Sequence, residues 1–208
     1  MLKEDASNAS NSSVLEKVSM GAGLCRLMEG NRRYVNDALV HPNRTPERRE
    51  SVVCLQEPFA IIVGCSDSRV SPEILFDQGV GDLFVVRVAG NVVGPVELTS
   101  IEFAATYLHC KVILVLGHEN CGAVRAVLDG QSHAIQPVAQ FIEPSVEEAQ
   151  KTNPENLWEC SVKTNALRMK SLLLQSSVIQ SLLQQDKIEV HAAYYNLQTG
   201  AVEILFRE

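Results

Sequence analysis

The stretch "FAIIVGCSDSRV", Phe59 to Val70, passes from apolar residues into Cys65, Asp67 and Arg69 at every second position. In an extended chain that spacing sends all three side chains to one side. A second polar group, "GHENCGAVRA", sets His118 and Cys121 three residues apart, so within one turn both can converge on a point. Cys121 opens the helical pattern "CGAVRAVL", and the positive end of a helix favours the thiolate, the form of cysteine that binds metal. Two thiolates and one imidazole suit Zn²⁺, and three protein ligands leave a fourth position open, as in catalytic zinc sites. Gly64 and Gly117 precede the two groups and let backbone approach a crowded site. The plainer alternatives are small core cysteines and a histidine hydrogen-bonded for structure alone. The joint placement of Cys65, His118 and Cys121 favours the metal, whereas Cys25, Cys54, Cys110 and Cys160 read as core or surface residues.

Asp67 stands two residues along from a candidate ligand, so it can bind the metal itself or sit beside a metal-bound water. Arg69 can pair with it through two parallel N–H···O bonds, which keeps the carboxylate ionised. An ionised Asp only accepts hydrogen bonds and so orients a hydroxide that has a single proton to give. The alternative is a plain structural ion pair.

These residues need a scaffold that brings strand ends together. Phe59–Cys65, "LFVVRVAGN" and "KVILVLGH" read as buried strands. Between them "SPEILFDQGVGD" forms a short helix, with Ser71 as its cap and Pro72 at its first position. "VELTSIEFAATYLHC" forms another, with Leu98, Ile101, Ala105 and Leu108 on one face. "VLEKVSMGAGLCRLMEGNRRYVND" reads as one or two helices interrupted at Gly30-Asn31, and residues 41–58 as a connection. A long helix is expected from Asn153-Pro154 through Leu183, then "KIEVHAAYYNL" and "AVEILF" as a hairpin around Gly200. The expected fold is α/β: about four parallel strands plus an antiparallel edge strand, flanked by helices, with an N-terminal helical arm. Residues 14–208 make one domain and Ser- and Asn-rich residues 1–13 a disordered lead. Ligands of such sheets bind beyond the carboxyl ends of the strands, where both polar groups fall.

The chain has 208 residues, 46% apolar and 21% charged, enough for one sizeable core. A net charge of −7 argues against a nucleic-acid partner, no segment is apolar enough for a membrane span, and no secretory signal is evident. A cytoplasmic protein is expected.

"CSDSR" together with "GHENC" resembles the β-class carbonic anhydrases, and "GNRRYV", "SIEFA" and "VHAAYYNLQTGAVEIL" are similar to family segments in the family order. The resemblance runs from about Leu24 to Leu205. It implies one Zn²⁺ per chain held by Cys65, His118 and Cys121, and an Asp67–Arg69 catalytic dyad with Asp67 as an occasional fourth ligand. It implies that Gln56 reaches a partner's site across a dimer interface and that Phe84 and Ala89 line an apolar substrate pocket. The activity implied is reversible hydration of carbon dioxide to bicarbonate and a proton by zinc-bound hydroxide, in a homodimer or homotetramer. With two thiolates on the metal the bound water should be less acidic than in a three-histidine site, so activity is expected to rise toward alkaline pH. His109, His133 and His191 are proton carriers by residue type, with nothing in the sequence to place them.

Two departures stand out. Some relatives bind an inhibitory bicarbonate through a Trp, an Arg and a Tyr. The Trp position is Ile62 here, with Arg87 and Tyr195 near the other two. Phe103 replaces a Tyr that many relatives have, removing a hydroxyl near the pocket. Three rival functions remain: hydrolysis of carbon disulfide or carbonyl sulfide on the same zinc, a non-catalytic zinc protein with Asp67 as permanent fourth ligand, and a redox protein using Cys65 and Cys121.

Overall fold

In the computed structural model, which describes residues 21–206, the elements follow in chain order: α1 (Ala22–Val35), α2 (Pro46–Ser51), β1 (Ala60–Gly64), α3 (Pro72–Leu75), β2 (Leu83–Arg87), α4 (Pro95–Tyr107), β3 (Val112–His118), α5 (Gly122–Leu128), α6 (Gln136–Lys151), α7 (Leu157–Leu173), α8 (Ser177–Gln184), β4 (Glu189–Tyr195) and β5 (Val202–Leu205). Short 3₁₀ turns occupy Ala89–Asn91 and Ser132–Ile135. The disorder expected for residues 1–13, and the helical pattern before Gly21, lie outside the described residues.

The five strands form one sheet in the order β2-β1-β3-β4-β5. The first four are parallel and β5 runs antiparallel to β4, as the alternation of strands and helices implies. β1 and β3, rich in Ile, Val and Leu, are buried along their whole length, which is what two covered faces require. One face carries Ile61, Val63, Ile113 and Val115 against residues of α4 to α8. The other carries Ile62, Leu114 and Leu116 against Leu24 and Leu27 of α1 and Leu75 of α3. The chain runs from β1 to β2 on one side, and β3 then pairs with β1 on the other. The strand order therefore reverses between β1 and β3, and a crevice opens beyond their carboxyl ends.

Five local expectations need correction. First, Gly30-Asn31 does not interrupt α1. A Cβ on Gly30 would lie 1.8 Å from Phe76 O, so glycine is there for close approach. Buried Asn31 is held by Leu75 O, Gly200 O and Val202 N, which ties α1 to the β4–β5 hairpin. Second, β2 is an edge strand, half-buried rather than covered on both faces. Third, the long helix is two: α7 starts after the Asn156 cap, and Ser176 caps α8 by accepting from Ile179 N. Ser176 also donates to Glu102 Oε1 at 2.6 Å, a tertiary bond that competes with helix continuation. Fourth, the connection over 41–58 contains α2, with Thr45 as its cap and Pro46 leading it. Fifth, Ser71 precedes α3 but makes no side-chain cap bond. The hairpin around Gly200 stands as expected, with φ 75° at that glycine.

Candidate metal centre

β1 stops at Gly64, and the backbone leaves the sheet in a turn closed by Val70 N donating to Asp67 O at 3.1 Å. Asp67 and Arg69 therefore meet through a turn, not through the two-residue alternation of a strand. Cys65, the first residue past β1, is 4% exposed; His118 ends β3 and is fully buried; Cys121 caps the N-terminus of α5 and is 1% exposed. Their ligand atoms all lie within 4.8 Å of one another. The structure thus brings together, at the reversal of strand order, three of the residues named as metal ligands; Asp67 stands outside this group.

The donor set fits a zinc ion. His118 Nδ1 lies 2.9 Å from Glu119 O, and a carbonyl can only accept, so Nδ1 carries the proton and Nε2 presents a lone pair. That Nε2 is buried with no hydrogen-bond partner, an arrangement that costs free energy unless something else binds there. The two thiols shift each other in opposite directions. Hydrogen bonding from Cys121 holds the Cys65 thiol down to about 4, against its burial. The same bond, together with burial, pushes Cys121 up. A divalent cation held here would replace the thiol protons, with both sulfurs binding as thiolates.

Beside the cluster, Arg69 grips Asp67 through Nε to Oδ1 at 2.9 Å and Nη2 to Oδ2 at 2.8 Å, and its backbone N–H donates to Oδ1 at 2.9 Å. These bonds hold the Asp67 carboxyl well below the usual carboxylate range. Arg69 Nη2 also reaches Asn120 O at 3.3 Å, bridging the two motif loops. Asp67 Oδ2 remains 3.9 Å from His118 Nε2.

Comparison with known proteins gives the family. The sequence pattern of the carbonic anhydrase family matches residues 60–202. The chain belongs to the β-carbonic anhydrase family. Among its relatives, the carbonic anhydrase of Mycolicibacterium smegmatis is 38% identical over 184 residues, covering 86% of this chain and 89% of that protein. Carbonic anhydrase 2 of Mycobacterium tuberculosis is 36% identical over 180 residues, covering 84% and 87%. Of solved structures, the Coccomyxa β-carbonic anhydrase in complex with acetazolamide superposes with a TM-score of 0.67 at 28% identity, over 90% of this chain and 88% of that one.

In this β-carbonic anhydrase the other residues named from sequence fall as follows. Phe84 on β2 packs against the core cluster that contains Cys65 and Cys121. Ala89 begins the turn whose Gly90 N–H donates to Cys65 Sγ at 3.2 Å. Gln56 is exposed on the connection before β1, beside Val53 and Leu55, which are 77% and 63% exposed. Phe103 lies on the outer face of α4, 44% exposed, its ring 5.3 Å from that of Tyr107. Ile62 is buried on the sheet face opposite Cys65, and the Tyr195 hydroxyl faces that of Tyr34 at 3.4 Å.

Three supports of the centre were not assigned that role from sequence. Arg87 donates through Nε to Cys65 O at 2.9 Å and through Nη2 to Asp67 O at 2.6 Å, fixing the motif loop from β2. Trp158, the only tryptophan, donates to Cys121 O at 3.0 Å. Glu119 accepts from Leu197 N and Gln198 N, tying the histidine loop to the β4–β5 hairpin. Only Arg87 had a signal, as a charged residue closing an apolar strand; the other two depend on contacts distant in sequence. No helix among the described residues is long and apolar enough to cross a membrane.

Proposed function

We propose that this chain catalyses the reversible hydration of carbon dioxide to bicarbonate and a proton, using one zinc ion held by Cys65, His118 and Cys121. The observation that carries this reading is the buried, unpartnered His118 Nε2 within 4.8 Å of two sulfurs. Zinc in that position supplies the nucleophile by acidifying a bound water. Asp67, kept ionised by Arg69, would accept a hydrogen bond from the attacking oxygen and so turn a lone pair of that oxygen toward the substrate carbon. Both Asp67 oxygens are engaged by Arg69, which supports Asp67 acting beside the metal rather than on it. Carbon dioxide is uncharged and needs a dry wall next to the nucleophile, a role for Phe84 and Ala89. Gln56 would donate to a substrate oxygen in a second copy of the chain; its exposure beside the exposed Val53 and Leu55 supports such a cover. A homodimer or a homotetramer gives that cover. A reducing compartment such as the cytoplasm keeps Cys65 and Cys121 as the thiols and thiolates that bind metal.

The deciding experiment is stopped-flow carbon dioxide hydration with zinc quantified per chain, before and after stripping by chelator. Activity that disappears with the metal and returns with Zn²⁺ is expected. Full zinc occupancy with no hydration above buffer would overturn the proposal. Carbon disulfide and carbonyl sulfide belong in the same substrate panel.

A further inference from the structure

We infer that Asn165 of α7 and Ser145 of α6 are positioning residues for the metal centre, acting through the Gly90 peptide that holds Cys65 Sγ. The inference deepens the zinc reading above and rests on it.

Both side chains are fully buried, among apolar residues of α6 and α7 such as Ile142, Val162 and Ala166. Buried polar groups are costly unless bonded, so their partners tell what they are for. Asn165 Nδ2 donates to Gly90 O at 2.8 Å, and Ser145 Oγ donates to Asn165 Oδ1 at 3.2 Å. The amide has only one workable orientation, because a carbonyl requires a donor opposite it. The serine hydroxyl then holds that orientation from the other side.

Gly90 needs such an anchor. It has φ +70°, a left-handed conformation natural to glycine. A Cβ there would come within 2.6 Å of Ile142 Cδ1 and 3.3 Å of Ala123 Cβ, so the turn lies tight against α5 and α6 with no side chain of its own to fix it. Its two polar atoms serve instead: the carbonyl bonds Asn165, and the N–H donates to Cys65 Sγ at 3.2 Å. An N–H donor on a ligand sulfur aims the lone pairs and withdraws electron density from the thiolate. The route Ser145–Asn165–Gly90–Cys65 thus transmits the packing of α6 and α7 to a metal ligand.

The test compares wild type, Asn165→Ala and Ser145→Ala in three measurements. These are zinc affinity by chelator competition, the thiolate-to-metal charge-transfer band of the cobalt-substituted protein, and the melting temperature of the metal-free protein. Asn165→Ala leaves Gly90 O unpaired and frees the turn. Zinc affinity is expected to fall about 10- to 100-fold, the usual cost of losing an outer support of a metal ligand, with a shifted charge-transfer band. Ser145→Ala keeps the amide but frees its orientation, and is expected to move both readouts the same way by less. A role in packing alone would lower the metal-free melting temperature and leave affinity and band at wild-type values, and that result overturns the inference. If Asn165→Ala does not fold, Ser145→Ala decides by the same two readouts. Wild type that takes up no zinc brings down the zinc reading itself. Wild type loading one zinc beside unchanged variants sinks only the positioning role.

Discussion

Asp67→Asn separates chemistry from stability. The substitution preserves shape but replaces a pure acceptor with a group that also donates. On the stability side, the Asp67–Arg69 pair is partly open to solvent: the Asp67 side chain is 16% exposed and that of Arg69 50%. Its three hydrogen bonds are good, yet exposed ion pairs are screened and contribute only about 0–1 kcal/mol. For a domain of this size that loss lowers Tm by roughly 2–4 °C at most. On the rate side, an acceptor that orients a proton in the transition state contributes on the order of 10²- to 10⁴-fold. At about 1.36 kcal/mol per tenfold, that is roughly 3–5 kcal/mol of barrier, several times the stability effect. Zinc content should not change, because Asp67 lies outside the three-ligand cluster. Stopped-flow hydration rates, zinc per chain and a thermal melt on one preparation give all three numbers. A variant that keeps more than about a tenth of wild-type kcat/KM, or that loses zinc in proportion to activity, refutes the assignment of Asp67 as an orienting acceptor.

Removing zinc should destabilise the whole domain: a thousandfold excess of metal over its Kd adds about 4 kcal/mol, so a chelator should lower Tm by on the order of 10 °C, and no change in a differential scan would exclude a metal in the folded core. Gly30→Ala, ordinarily favourable in a helix, should destabilise by about 1–3 kcal/mol or more, because the new Cβ meets Phe76 O at 1.8 Å; urea melts would contradict this if the variant matched wild type. Asp77 gives an acid signature. Its burial opposes ionisation, but hydrogen bonds from Val40 N, Arg33 and His41 N outweigh that and lower its pKa. Its contribution is therefore complete above the unfolded value of about 3.9 and is lost as pH falls from there toward the folded value. Asp77→Asn should be less stable at neutral pH and should lose less stability on acidification than wild type. Parallel denaturant curves for the two proteins across that range would count against it.

The two motifs were legible because each compresses its chemistry into a few residues. His118 and Cys121 sit on one turn, and Asp67 and Arg69 on another, so side-chain type and local spacing already imply a metal and an ion pair. Strand identity was legible for the same local reason: β1 and the start of β3 are apolar runs rich in Ile, Val and Leu, and such runs need cover on both faces. What local pattern could not supply was which ends meet. That Cys65 faces His118 and Cys121 follows from β1 pairing with β3 while β2 takes the other side, a choice made by the packing of helices on both faces of the sheet. Gly30-Asn31 looked like a break because the close approach of Phe76 O and the hairpin bonds to Asn31 come from residues far along the chain. The same holds for Arg87, Trp158 and Asn165, whose hydrogen bonds to Cys65 O, Cys121 O and Gly90 O come from β2 and α7. The side-chain types of the Cys-His-Cys group belong to the sequence; their convergence, the single lone pair of His118 and the N–H on Cys65 belong to the tertiary structure, because hydrogen bonds and burial act across space and not along the chain.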